Sequence, residues 1–137
     1  MIISYSRTSF VPAIIQNIKK HTLRRDLGGK WKAGMVIQHW LGNPRNTKST
    51  PPPFCFHEGE CDGTERVLIE RDLEEVLGCT VFVCLEGKHR QLDEYAILEL
   101  CRNDGLTFEK FIDWFLPPGT DEWRGNIIHY TPLRYAT

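Results

Sequence analysis

No stretch of this sequence approaches the ~18–20 consecutive apolar residues that a membrane-spanning helix needs. The opening residues, MIISYSRTSF, lack the charged front and long apolar run of a secretion signal, so a cytoplasmic protein is expected. Paired C-x-x-C motifs are missing as well. The five cysteines, Cys55, Cys61, Cys79, Cys84 and Cys101, are odd in number, which reads as reduced, mostly buried thiols and not as a disulfide framework. Cys55 and His57 would share a strand face with Cys61 close behind, but a fourth zinc ligand is not evident. No metal and no cofactor is therefore expected. Neither an internal repeat nor a linker interrupts the chain, so residues 1–137 are expected to form a single domain, long enough to bury a core without metal or disulfide staples.

Acid is almost absent from the first fifty residues. They hold nine Lys or Arg and one acid, Asp26, while the remainder holds eight bases and seventeen acids. The halves thus carry +8 and −9, which the net charge of −1 conceals. Such polarity suggests a basic surface facing an anionic partner. Mutual neutralisation of the halves in the folded chain is the alternative.

Several elements follow from pattern. Met1–Ser6 can form a strand. Phe10, Ile14, Ile15 and Ile18 recur at helical spacing behind Thr8 and Ser9, predicting a helix to about Lys19–Lys20. His21–Arg25 reads as extended and Asp26–Lys30, with Gly28-Gly29, as a loop. Met35–Leu41 alternates as a strand with Met35, Ile37 and His39 on one face. Gly42–Pro53, with four prolines, is a long loop of the kind that is mobile or functional. Phe54–Cys61 and Glu65–Asp72 read as strands turned around Asp62-Gly63, and Thr80–Leu85 as another. Asp93 and Thr107 are placed to cap two helices, separated by Gly105 and ended by Pro117-Pro118-Gly119. Asn126–Thr131 reads as a last strand. Strands in the middle with helices outside make an α+β domain.

The most informative stretch runs from Lys19 to Lys32, where six positions are Lys or Arg against one Asp. Thr22 and Arg24 share a strand face, and a hydroxyl and a guanidinium aimed together suit a phosphate or a nucleobase carbonyl. A solvated basic turn would show the same composition. The pattern K-x-x-T-x-R … W-K-x-G (Lys19, Thr22, Arg24, Trp31, Lys32, Gly34) resembles the ASCH domain family. The likeness extends to Trp40-Leu41-Gly42-Asn43-Pro44-Arg45-Asn46, to Asn103-Asp104-Gly105-Leu106 and to Gly125–Thr131, in the order seen in small stand-alone members, often bacterial or phage-borne. It covers nearly the whole chain.

The resemblance implies a PUA-like β-barrel with helices at its ends, and binding of RNA or a modified nucleotide or nucleoside in a basic cleft. It also implies chemistry: some small members hydrolyse the amide of N4-acetylcytidine with a lysine, a threonine and a carboxylate, which fall here on Lys19, Thr22 and Asp104. A threonine hydroxyl needs a base to take its proton. A lysine serves if neighbouring cations and desolvation depress its pKa, and Lys20, Arg24 and Arg25 are such cations. Asp104 is one methylene shorter than the glutamate of those enzymes, and strand alternation alone would put Lys20, not Lys19, on the face of Thr22. Asp104 also suits a simple turn between helices, and Arg24 an ion pair with Asp26 or Asp104. Binding is expected to draw further on Lys20, Trp31, Lys32, Trp40, Asn43 and Arg45, the amide and basic groups reading base edges or phosphates and the tryptophans stacking on a base or forming cleft wall. A module that contacts only protein, through its acidic half, is the remaining alternative.

Overall fold

Glu65, Val67 and Ile69 alternate with Arg66, Leu68 and Glu70, and the strand they form is buried on one face only. In the computed structural model, which describes residues 1–26 and 28–137, this strand lies at the centre of the larger of two sheets. The elements are β1 (Ile2–Tyr5), α1 (Phe10–Ile15), β2 (His21–Arg24), β3 (Val36–Leu41), β4 (Phe54–Glu60), β5 (Gly63–Arg71), β6 (Cys79–Leu85), β7 (Lys88–Gln91), α2 (Glu94–Asn103), α3 (Phe108–Phe115) and β8 (Glu122–His129). Leu27, inside the expected Asp26–Lys30 loop, lies outside the described residues. The larger sheet has the order β2-β8-β5-β6-β7 and the smaller β1-β3-β4, with β1 parallel to β3.

The fold is α+β, as expected, with eight strands and three helices among the described residues. These strands form two sheets, and no pairing among the described residues closes them into the expected barrel. No described helix is long and apolar enough to cross a membrane.

Two cores result. Helices α2 and α3 cover one face of the larger sheet, where Val67, Ile69, Val81, Leu100, Phe111 and Ile127 pack together. The smaller core holds Ile3, Tyr5, Phe10, Trp31, Ile37 and Ile128. Strand β8 takes part in both, sending Ile127 to one core and Ile128 to the other. Its residues from Gly125 to His129 are consequently all buried, as expected of a strand covered on both faces. Gly125 is required there. A Cβ at that position would run into the Arg24 carbonyl and the Trp123 ring, so only the smallest residue lets β2 lie close to β8.

The helix caps are those expected. Asp93 accepts from the Ala96 amide at 2.8 Å, Thr107 from Lys110 at 3.3 Å, and Gly105 adopts a positive φ of 81° behind α2.

Four expectations need correction. Helix α1 ends at Ile15, because Asn17 takes a left-handed conformation (φ 59°) that breaks the spiral; Ile15 and Ile18 are left exposed. The strands flanking Asp62-Gly63 do not pair. β4 joins β3 while β5 joins β6 and β8, and the chain crosses between sheets at this point, held by the Cys61 amide on Met35 O and the Asp62 amide on His129 O. Lys88–Gln91 forms an additional strand, exposed throughout and so without an apolar pattern. The last strand starts at Glu122 and ends at His129, earlier than the expected 126–131.

Candidate functional site

Breaking α1 at Asn17 has a local effect on the basic stretch. The chain folds back, with the amides of Ile18 and Lys19 both bonded to Ala13 O, and Lys20 N then ties the start of β2 to Asn103 O at 2.7 Å. Lys19 is thereby turned inward and only 1% exposed. Its ammonium donates to the Asp104 backbone carbonyl at 2.7 Å and to Asp104 Oδ1 at 3.1 Å. It also lies 4.4 Å from the Phe10 ring centroid and 5.9 Å from that of Tyr5, an arrangement with favourable cation–π character. Burial pushes the Lys19 amine below the ordinary lysine pKa, Arg24 acts in the same direction, and Asp104 offsets part of the effect.

Beside this pair lies a cavity of about 240 Å³. Lys19, Thr22, Arg24 and Asp104 all line it, together with Arg7, Arg25 and the aromatic rings of Tyr5, Phe10 and Trp114. The Thr22 hydroxyl accepts from Arg24 Nε at 3.3 Å, and among the described residues it has no hydrogen bond to Lys19. The Arg24 guanidinium also donates to Ser4 O at 2.9 Å and stands 5.5 Å from the Tyr5 ring. It pairs with neither Asp26 nor Asp104. Asp26 instead accepts the amides of Lys30 and Trp31 at 3.1 and 3.0 Å. Asp104 ends α2, yet its carboxylate points inward to Lys19 and to His21 Nδ1 at 3.3 Å.

Tyr5 connects the cavity to a second polar layer that does not line it. The Tyr5 hydroxyl lies 2.7 Å from His39 Nδ1 and 2.6 Å from the Tyr130 hydroxyl. Burial raises the Tyr5 and Tyr130 phenols above their usual pKa and lowers the His39 imidazole to about 4, the latter with help from His57 and Lys19.

The remaining expected site residues lie elsewhere. Lys20 is half-buried and does not line the cavity. Trp31 is 7% exposed and belongs to the smaller core, bordering two depressions that are separate from the cavity. Lys32 is exposed in a separate depression with Arg66 and Arg134. Trp40 is half-buried, its indole N–H on Gln38 Oε1 at 3.3 Å. The Asn43 side chain accepts the Arg45 amide at 2.9 Å, a local turn, and Arg45 itself is exposed. None of these six lines the cavity.

Other residues join the site without having been expected. Trp114 is 59% exposed at the cavity although it sits on α3; it falls off the Phe108–Phe111–Ile112–Phe115 stripe, but a single exposed aromatic is no functional signal by itself, and only the cavity beside it marks it out. Arg7 contributes a buried Nε with no partner among the described residues. Among the described residues no three His, Cys, Asp or Glu side chains converge as a metal ion would require. Comparison with protein-family models, with curated proteins and with solved structures finds no match.

Proposed function

We propose that this cavity binds the base of a modified nucleoside or nucleotide, free or within RNA, and that the chain is a PUA-like ASCH domain, the family its sequence resembles, acting in the cytoplasm. One observation carries the reading: Lys19, Thr22, Arg24 and Asp104, separated by up to 85 positions, line a single hollow with aromatic walls. Its volume of about 240 Å³ falls below the roughly 300–1,000 Å³ typical of drug-sized ligands, which suits one ring system. A base would stack on the exposed ring of Trp114, and the Arg24 guanidinium, already beside a hydroxyl, would meet a ring carbonyl or a phosphate.

A second reading is favoured by the buried amine itself. A lysine whose pKa is depressed by burial gives up its proton more readily than a solvated one and so is a better base. In this reading Thr22 Oγ attacks the acetyl carbonyl of N4-acetylcytidine and passes its proton to Lys19. The C–N bond then breaks, the proton moves on to the departing cytidine amine, and water cleaves the acyl-threonine to acetate. Rotation of the Thr22 hydroxyl away from Arg24 is required first, since a working base must lie within about 2.6–3.2 Å of the proton it takes.

One set of assays tests both readings. Titration with N4-acetylcytidine, cytidine and a short RNA is expected to show saturable binding of at least one, weakened roughly 10- to 100-fold by Arg24→Ala through loss of a charged hydrogen bond. RNA binding would also weaken as salt rises. Free cytidine appearing in the acetylcytidine sample, and absent with Thr22→Ala, identifies hydrolysis. Saturable binding of none of the three ligands would remove the proposal and leave the protein-interaction alternative.

A further inference from the structure

Behind the cavity, hydrogen bonds lead from Asp104 to the segment that follows β8. His21 Nδ1 is 3.3 Å from Asp104 Oδ1, and His21 Nε2 is 2.7 Å from the Tyr135 hydroxyl. Asn103 Nδ2 donates to that same hydroxyl at 3.0 Å. All four side chains are buried. Their donor pattern is consistent in one direction. A carboxylate oxygen only accepts, so the imidazole proton sits on Nδ1 facing Asp104; Nε2 then accepts the Tyr135 O–H, whose oxygen accepts Asn103. Tyr135 is held from behind as well. Its amide and that of Ala136 donate to the Glu65 carboxylate at 2.9 and 2.8 Å, and His129 Nε2 lies 2.7 Å from the same group. Neither His21 nor Tyr135 lines the cavity.

We propose that His21 and Tyr135 are positioning residues, holding the Asp104 carboxylate where it grips Lys19, so that the segment after β8 governs a site it does not touch. The proposal assigns a control to the cavity read above as a ligand site. The physical reason is that Oδ1 is shared between Lys19 and His21. Withdraw the His21 donor and the full acceptor strength of that oxygen falls to Lys19, whose ammonium becomes harder to deprotonate. Donation from Tyr135 into Nε2 polarises the ring and strengthens Nδ1–H as a donor, so deleting the hydroxyl acts in the same direction, more weakly. Among the described residues the other charged or titratable groups facing Lys19 include Arg24 on β2, Tyr5 on β1, His39 on β3 and Arg7, which shares the Phe10 ring with it, and none of these contacts Tyr135.

The test follows the Lys19 side-chain nitrogen by NMR through a pH titration of the full chain without ligand. The Lys19 titration is expected to move upward in Tyr135→Phe, further in His21→Leu, and less in His21→Asn than in His21→Leu, because the asparagine amide can replace the Nδ1 donor. Nucleoside affinity is expected to fall about three- to tenfold in Tyr135→Phe, since misplacing one hydrogen-bonded pair costs about that much. A folded Tyr135→Phe protein whose Lys19 titrates as in the wild type overturns the proposal. If Tyr135→Phe does not fold, the two His21 variants decide it: the proposal fails if both leave the Lys19 titration in place. A shifted titration in a protein that binds neither nucleoside nor RNA upholds the positioning role and sinks the ligand reading alone.

Discussion

Asp104→Ala is expected to cost about 3–5 kcal/mol of folding stability, because removing one partner of a buried ion pair strands the other. The substitution would leave the Lys19 ammonium, 1% exposed, with a single backbone carbonyl and two ring faces, and His21 Nδ1 with no acceptor. Urea unfolding at neutral pH measures the loss, and a change below about 1 kcal/mol would show that the pair is not formed in solution. Replacing both partners, Lys19→Met with Asp104→Leu, is expected to recover the part of the loss due to the stranded ammonium, since apolar pairs of similar volume often match a buried ion pair in stability, while His21 Nδ1 stays without its acceptor. That double variant would fold and lack the site, so it also separates what the pair does for the fold from what it does for ligand.

Acid is expected to destabilise the fold well before ordinary carboxylates titrate. Burial holds the folded His39 imidazole at about 4, below the ordinary histidine value of 6.5, and depresses His21 as well. Between those limits the unfolded chain binds protons that the native state refuses, so stability falls as pH drops from 6.5 toward 4. Glu65 then continues the trend. Burial alone would raise its pKa, but donation from His129 and from the Tyr135 and Ala136 amides more than offsets this and holds it below 4.5. A depressed carboxylate stabilises above its unfolded pKa and loses that contribution as pH falls through the folded one. The three groups therefore act with one sign. Urea midpoints should hold from pH 7.5 to about 6.5 and decline from there toward pH 4, with the Glu65 loss following at still lower pH; a flat profile down to pH 4.5 would mean that the imidazoles are hydrated and not buried.

Much of this was legible in local chemistry. The caps at Asp93 and Thr107, the Gly105 stop and the alternation of Ile37 and His39 depend on near neighbours in the chain, and pattern found them. The convergence of Lys19, Thr22 and Asp104 came from resemblance to a family; alternation would have chosen Lys20. Lys19 faces the cavity because Asn17 breaks the helix early, an event with no periodic signature. Pairing across Asp62-Gly63 was misread because a turn sequence does not reveal whether its two strands stay in one sheet. Tyr135 and His21 were invisible as a pair, since their hydrogen bond joins residues 114 positions apart and each alone looks like ordinary core. Trp31 shows the converse: a residue type suited to stacking on a base is equally suited to packing, and its place in the smaller core is not written in its neighbours.

The placement of β8 bears on how the molecule comes apart. With Ile127 in one core and Ile128 in the other, neither can melt without stripping one side of the same strand. The halves are therefore coupled into one cooperative unit that melts as a whole. The hollow draws its walls from both, Phe10 and Tyr5 from one and Phe115 and Trp123 from the other. Any molecule that bound there would thus act as a thermodynamic bolt across the seam, stabilising everything or nothing.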